Sequence, residues 1–168
     1  MYEIGEFIVY GSNGVCQVAD ISKQEIEDTP DDMLYYELKP VSQKNVIIRI
    51  SVENTRIPMR RILTEEQARQ LIQEMPQIKT LEIQNDKMRE PMYKECVKST
   101  DCRKWISIIK TLHQRKIERA RQGKRMTATD ERYLRMAKDY LYGELSIPLG
   151  IAKNEVEEYI SRQLDQAV

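Results

Sequence analysis

Catalysis needs a base, a nucleophile or a metal, and the residues that supply them are sparse in this chain. His113 is the single histidine. It falls beside the apolar arc of a basic helix, where a packed or half-exposed ring is expected and not a general base. Pairing it with Cys102 fails on reach, because eleven residues along one helix span about 16 Å. Cys16, Cys96 and Cys102 are widely spaced, and with one histidine they offer no metal-ligand pattern. The "YGSNG" stretch has two glycines but lacks the Gly-x-Gly-x-x-Gly and Walker patterns, so it reads as a turn. Glu65–Glu66 and Glu157–Glu158 belong to helix surfaces. These residues predict no enzyme, no metal, no cofactor and no small-molecule substrate.

The cations are different. Lys+Arg and Asp+Glu balance at 27 each, yet nine basic residues and only Glu118 among the acids lie between Arg103 and Arg125, a local net of +8. Residues 1–61, 62–102 and 126–168 are each slightly acidic, with nets of −3, −2 and −3. Binding responds to the field near a patch and not to the whole-chain charge, so neutrality does not exclude a nucleic-acid partner. Clustered like charge repels itself, and its presence suggests phosphate contacts without sequence readout. The alternative is a protein adaptor whose basic helical face meets an acidic protein.

That cluster lies on a helix expected from an Asp101 N-cap to a Gly123 C-cap. At about 100° per residue, Trp105, Ile108, Ile109, Leu112, Ala120 and Ile117 share one arc. Lys104, Arg115 and Arg119 line one margin, and Arg103, Lys110 and Arg121 line the other. A helix of this kind buries its stripe and keeps the long cations in water. Trp105 is therefore expected in the core.

The elements around this helix follow from periodicity. Residues 1–61 read as short strands: "EFIVY", "VCQVADI", "MLYYELKP" and "NVIIRISV", with "GSNG" and "VSQK" as connections and "EDTPDD" as a loop. This pattern predicts a small antiparallel half-barrel. From residue 62 the period changes from 2 to 3.6, predicting a helical domain over 62–168 of about five helices. Thr64 and Gln67 form a capping box before "EEQARQLIQEM". "MREPMYKECVK" carries Pro91 in its first turn or at a kink, "TATDERYLRMAKDYLYGEL" is amphipathic, and "NEVEEYISRQL" follows a Pro148–Gly150 break. The class is α+β. No signal peptide or membrane span is visible, and the odd cysteine count fits reduced thiols, so a soluble cytoplasmic protein is expected.

"GEFIVYGSNGVCQVADI", "YYELKP", "NVIIRISVEN" and "TATDERYLRMAKDYLYGELSIPLGI" together resemble the CarD/CdnL family of bacterial RNA polymerase-binding transcription regulators. The resemblance implies a Tudor-like domain that docks on the RNA polymerase β subunit by adding its edge strand to a strand of the partner. A similar module occurs in the transcription-repair coupling factor. On the matching strand it implies roles for Val46, Ile48, Arg49 and Ile50. Without the resemblance, Arg49 reads as a charge guarding a sheet edge.

For the helical domain the resemblance implies contact with promoter DNA at the upstream edge of the bubble, where family members wedge a tryptophan into the minor groove. Counting back from the "STD" turn at Ser99–Asp101 puts that position at Asp86, so the tryptophan wedge is absent. Asp86 is expected to cap the following helix, with Met88 as the nearest apolar replacement. Lys87, Arg89, Arg115, Arg119, Lys124 and Arg125 are expected at DNA phosphates. Ser51 replaces the family's proline. The expected function is modulation of open-complex stability by a nucleoid-associated regulator, through non-sequence-specific DNA contact.

Overall fold

The computed structural model describes residues 1–24, 27–30 and 32–166. Asp31, at the end of the expected "EDTPDD" loop, lies outside the described residues. The class is α+β, a five-stranded antiparallel sheet followed by five helices. The chain divides into two compact units, Met1–Ile62 and Leu63–Val168.

In the first unit β1 is Phe7–Tyr10, β2 Val15–Lys23, β3 Leu34–Pro40, β4 Ile48–Ser51 and β5 Met59–Arg61, in the spatial order β4-β3-β2-β1-β5. Ile8, Tyr10, Cys16, Val18, Tyr36 and Leu38 are buried together. Ile48, Ile50, Val52 and Met59 pack partly against them. A bulge between Val18 and Asp20 on β2 raises the local twist. The "GSNG" turn needs its first glycine twice over. Gly11 has φ of 46°, and a Cβ there would sit 2.7 Å from Ile57 Cγ2.

Two differences from the sequence expectation concern the strands. The strand expected over "NVIIRISV" is confined to Ile48–Ser51, because Asn45 turns left-handed at φ 64° and Val46 and Ile47 stand exposed. β5 carries no strand signal of its own, since Pro58 precedes it and it contributes two arginines. It exists through pairing of Met59–Arg61 with β1.

The second unit comprises α1 Glu65–Glu74, α2 Arg89–Lys98, α3 Cys102–Arg121, α4 Ala128–Leu149 and α5 Val156–Gln166. The capping box forms as expected, with Thr64 Oγ1 accepting from Gln67 N–H at 3.1 Å and Gln67 Oε1 accepting from Thr64 N–H at 3.0 Å. Asp101 caps α3 by accepting from Arg103 N–H at 2.8 Å. At the other end Gln122 is the cap, and Gly123 follows it in the left-handed region. Gly123 N–H donates to Ala120 O at 3.0 Å and Lys124 N–H to Arg119 O at 2.8 Å. These two bonds make a Schellman closure. α4 runs through Pro148 and ends at Gly150, φ 65°, because a proline so near the terminus forfeits a single ladder bond.

Trp105 is 1 % exposed and lies 5.5 Å from the Tyr140 ring, ring centre to ring centre. Ile106, Ile108, Ile109 and Leu112 complete the buried face of α3, which packs on α4, where Ala137, Leu141 and Leu145 are buried as well. No α3 residue after Leu112 is buried. Ala120 and Ile117, expected on the buried arc, are exposed, Ile117 by 54 %. The apolar stripe outlasts the neighbours that could cover it.

Glu144 is the most deeply buried of three polar residues in this core, with Thr100 and Asp130. It is fully buried, accepts Leu63 N–H on Oε2 at 2.9 Å, and accepts the Cys102 thiol on Oε1 at 3.3 Å. A buried carboxylate needs such donors to offset its lost hydration.

Trp105→Ala should lower unfolding free energy by about 3–5 kcal/mol. Ile117→Ser should change it by less than about 0.5 kcal/mol. Chemical denaturation followed by far-ultraviolet circular dichroism measures both, and equal losses would contradict the burial assigned to Trp105.

Candidate docking edge and nucleic-acid interface

β4 ends the sheet, with β3 on one side and nothing of the sheet on the other. Val52 N–H donates to Leu34 O at 3.0 Å, and the register pairs Ile50 with Tyr36 and Ile48 with Leu38. Antiparallel alternation then turns the backbone groups of Arg49 and Ser51 toward the open edge. The Arg49 side chain is half exposed and pairs at 3.0 Å with Glu37, the residue directly opposite on β3. Ile48 and Ile50 point the other way and pack against the sheet core. Val46 lies before β4 in an exposed connection that also holds Val41 and Ile47. Of the four expected docking residues, then, Arg49 and Val46 present side chains to the surface. Ile48 and Ile50 fix the strand that presents them.

The basic cluster of α3 looked unpaired along the chain, and the fold supplies partners from elsewhere. Arg103 pairs with Glu74 at the end of α1. Lys110 donates to the carbonyls of Met75, Pro76 and Ile78, so its charge closes the turn after α1. Arg115 Nε reaches Asp130 at 2.6 Å, where the Asp130 side chain is 2 % exposed. Arg119 Nε donates to Arg125 O at 2.7 Å, holding the turn that displays Lys124 and Arg125. Lys124 and Arg125 are exposed. Desolvation and then the Lys138 cation lower the His113 pKa from the usual imidazole range.

The segment before α2 is held from α3. Ser107 Oγ donates to Lys79 O at 2.8 Å, and Thr111 Oγ1 accepts Leu81 N–H at 2.9 Å. Asn85 Oδ1 then caps a single 3-10 turn, Asp86–Met88, by accepting Met88 N–H at 3.2 Å. Asp86 was expected to cap and does not. It sits inside the turn and pairs with Arg89 at 3.3 Å, while its own side chain is 86 % exposed. Lys87 and Met88 are exposed, Met88 by 48 %.

The expected DNA residues meet at one end of the helical unit. There the start of α2, the start of α4 and the last turns of α3 converge. Arg89 donates to Tyr93 Oη at 3.1 Å, and Tyr93 stacks obliquely at 5.5 Å on Tyr133 of α4. Burial raises the Tyr93 pKa, opposed by the nearby cations of Arg89 and Arg115. Glu90 accepts from Arg132 and from Tyr133 Oη, each at 3.2 Å. Arg89 and Arg115 are therefore tied into an internal network, while Lys87, Lys124 and Arg125 face outward. Asp130, Glu90 and Glu144 were not singled out by sequence reasoning. Each sits on an amphipathic helix among other acids, with no local mark of its distant partner.

The thiols show no sign of nucleophilic activation. Cys16, Cys96 and Cys102 are all buried and outside any disulfide, and burial pushes the Cys16 thiol up to about 11. A reactive cysteine needs the opposite shift. Among the described residues no group of three or more histidine, cysteine or acidic side chains is arranged to hold a metal, and no helix is long and apolar enough to cross a membrane.

No curated protein matches the chain. Residues 2–63 match the model of the CarD-like/TRCF RID domain family. This family is a protein-interaction domain and points to RNA polymerase interaction in transcription. The match covers the whole sheet and includes the open β4 edge. The first unit of this chain thus carries the CarD-like/TRCF RID domain match, which is consistent with a CarD-like family member.

Proposed function

We propose that the chain is a non-enzymatic transcription regulator that docks on the RNA polymerase β subunit through β4. Its helical unit contacts promoter DNA at the upstream edge of the bubble and modulates open-complex stability. The observation that carries this reading is the RNA polymerase-interacting domain type of a unit whose β4 edge is open. A partner strand added there gains backbone bonds at Arg49 and Ser51, and Arg49 supplies a charge that selects the partner. Val46 extends the contact beside the strand, and Ile48 and Ile50 hold the edge rigid from the core side.

The DNA half rests on Lys87, Lys124 and Arg125, exposed at one end of the helical unit. Arg119 holds the turn that carries the last two. Contacts of this kind bind phosphate without reading sequence. Arg89 and Arg115 support the surface from beneath. Met88 is the exposed apolar side chain nearest the position that takes the wedge in the family. With Asp86 and not tryptophan there, DNA contact depends mainly on charge.

Arg49→Glu should cut RNA polymerase binding at least about tenfold, and the charge-swapped pair Glu37→Arg/Arg49→Glu should restore the sheet without restoring binding. Pull-down with purified polymerase checks both. Binding by the single variant equal to the parent would remove the edge-docking reading.

Lys124→Ala should weaken fork-junction DNA binding evenly across sequences and reduce the salt slope by about 1. Arg115→Ala should instead cost on the order of 2–3 kcal/mol of stability by leaving Asp130 buried and unpaired. Salt-titrated anisotropy and denaturation separate the two. A full parental salt slope in Lys124→Ala would rule out its phosphate contact.

Asp86→Trp should lengthen the open-complex half-life on a promoter where the parent has a measurable effect, because an apolar wedge stabilises unstacked steps. An unchanged half-life would take residue 86 away from the fork.

A further inference from the structure

The last turns of α3 and the first half of α4 enclose a groove of about 670 Å³ on the helical unit. Its floor includes Ala120, Met126 and Leu134. Its walls carry Lys116, Lys124, Arg125 and Arg135, and among the described residues none of these four takes part in an ion pair. The contrast with their neighbours is sharp: Arg115, Arg132, Lys138 and Lys153 all have carboxylate partners at 2.6–3.2 Å. Lys138 also lines the groove, its charge met by Glu157, and Glu131 is the one acid of the lining, so four unpaired cations face one carboxylate for a net of +3.

An apolar floor between cationic walls selects for chemistry as well as charge. A phosphodiester backbone satisfies the walls and gains nothing from Ala120, Met126 and Leu134. An amphipathic segment with apolar side chains at helical spacing and acidic flanks satisfies both. The exposed Ile117, 54 % accessible on the same stretch of α3, extends the apolar surface. We infer that this groove is a docking site for an acidic amphipathic helix of a partner protein, distinct from the β4 edge. The apolar stripe of α3 that continues past Leu112 without cover is then completed by the partner's helix.

Three probes test this on the full chain by fluorescence anisotropy. One is a synthetic peptide of about 18 residues, five helical turns, with Leu at i, i+3 and i+4 spacing and Glu elsewhere. The second is the same composition scrambled to remove the apolar face. The third is fork-junction DNA. The amphipathic peptide should bind at least about tenfold more tightly than the scramble, the worth of one or two buried apolar side chains. Ala120→Lys is the deciding variant, since it fills the floor while adding positive charge at an exposed helical position. It should weaken amphipathic-peptide binding at least about fivefold and leave DNA binding equal or stronger. Arg135→Glu should weaken the peptide by at least the same factor, and circular dichroism verifies that both variants fold. Equal binding of the two peptides would overturn the proposal. So would tighter peptide binding by Ala120→Lys, or an Arg135→Glu effect larger on DNA than on peptide, which would assign the groove to nucleic acid.

Discussion

The helical unit depends on the burial of one face of α3 against α4. A buried tryptophan withdraws roughly 150–250 Å² from water, and at about 25 cal/mol per Å² that is on the order of 4–6 kcal/mol as an upper bound. Trp105, almost wholly enclosed, is the largest side chain in that contact. Its burial sets the rotation of α3 about its own axis. Once that rotation is set, every cation on the helix has a determined direction. Lys110 turns toward the end of α1, Arg115 toward the start of α4, and Lys116 toward the groove beside α4.

The same constraint divides the cluster into two kinds of charge. Arg103, Lys110 and Arg115 are used internally, each by a group distant in sequence, and so hold helices together. Among the described residues Lys116, Lys124 and Arg125 find no such acid, and they project into solvent. A desolvated pair such as Arg115–Asp130 acts through what is lost when it is broken, whereas exposed cations act through the field they present. Counting charges along the chain treats these alike.

In the sheet unit the corresponding constraint is the end of pairing at β4. The core takes Ile48 and Ile50, and the pleat therefore sends Arg49 outward, across from Glu37. An exposed edge is a liability for aggregation unless it is short or charged. β4 is both, with four residues and an arginine at its centre. Those traits leave it available to a partner that meets the charge and closed to one that does not.

Local chemistry was legible in the chain. The period change near residue 62, the Thr64–Gln67 capping box, the Asp101 cap and the helix-ending Gly123 are interactions among neighbours, so residue type and spacing suffice to predict them. The inward direction of Trp105 followed from the same periodicity. What stayed hidden depends on contacts between residues far apart in sequence. β5 exists because β1 offers it a ladder, the stripe beyond Leu112 is bare because no neighbour reaches it, and Asn85 caps in place of Asp86 once α3 has pinned the segment before it. Glu144 and Asp130 look like surface acids until packing brings Leu63, Cys102 and Arg115 to them. Side-chain spacing carries local geometry, but the partner of a charge is decided by which helices pack together, and only the tertiary structure contains that.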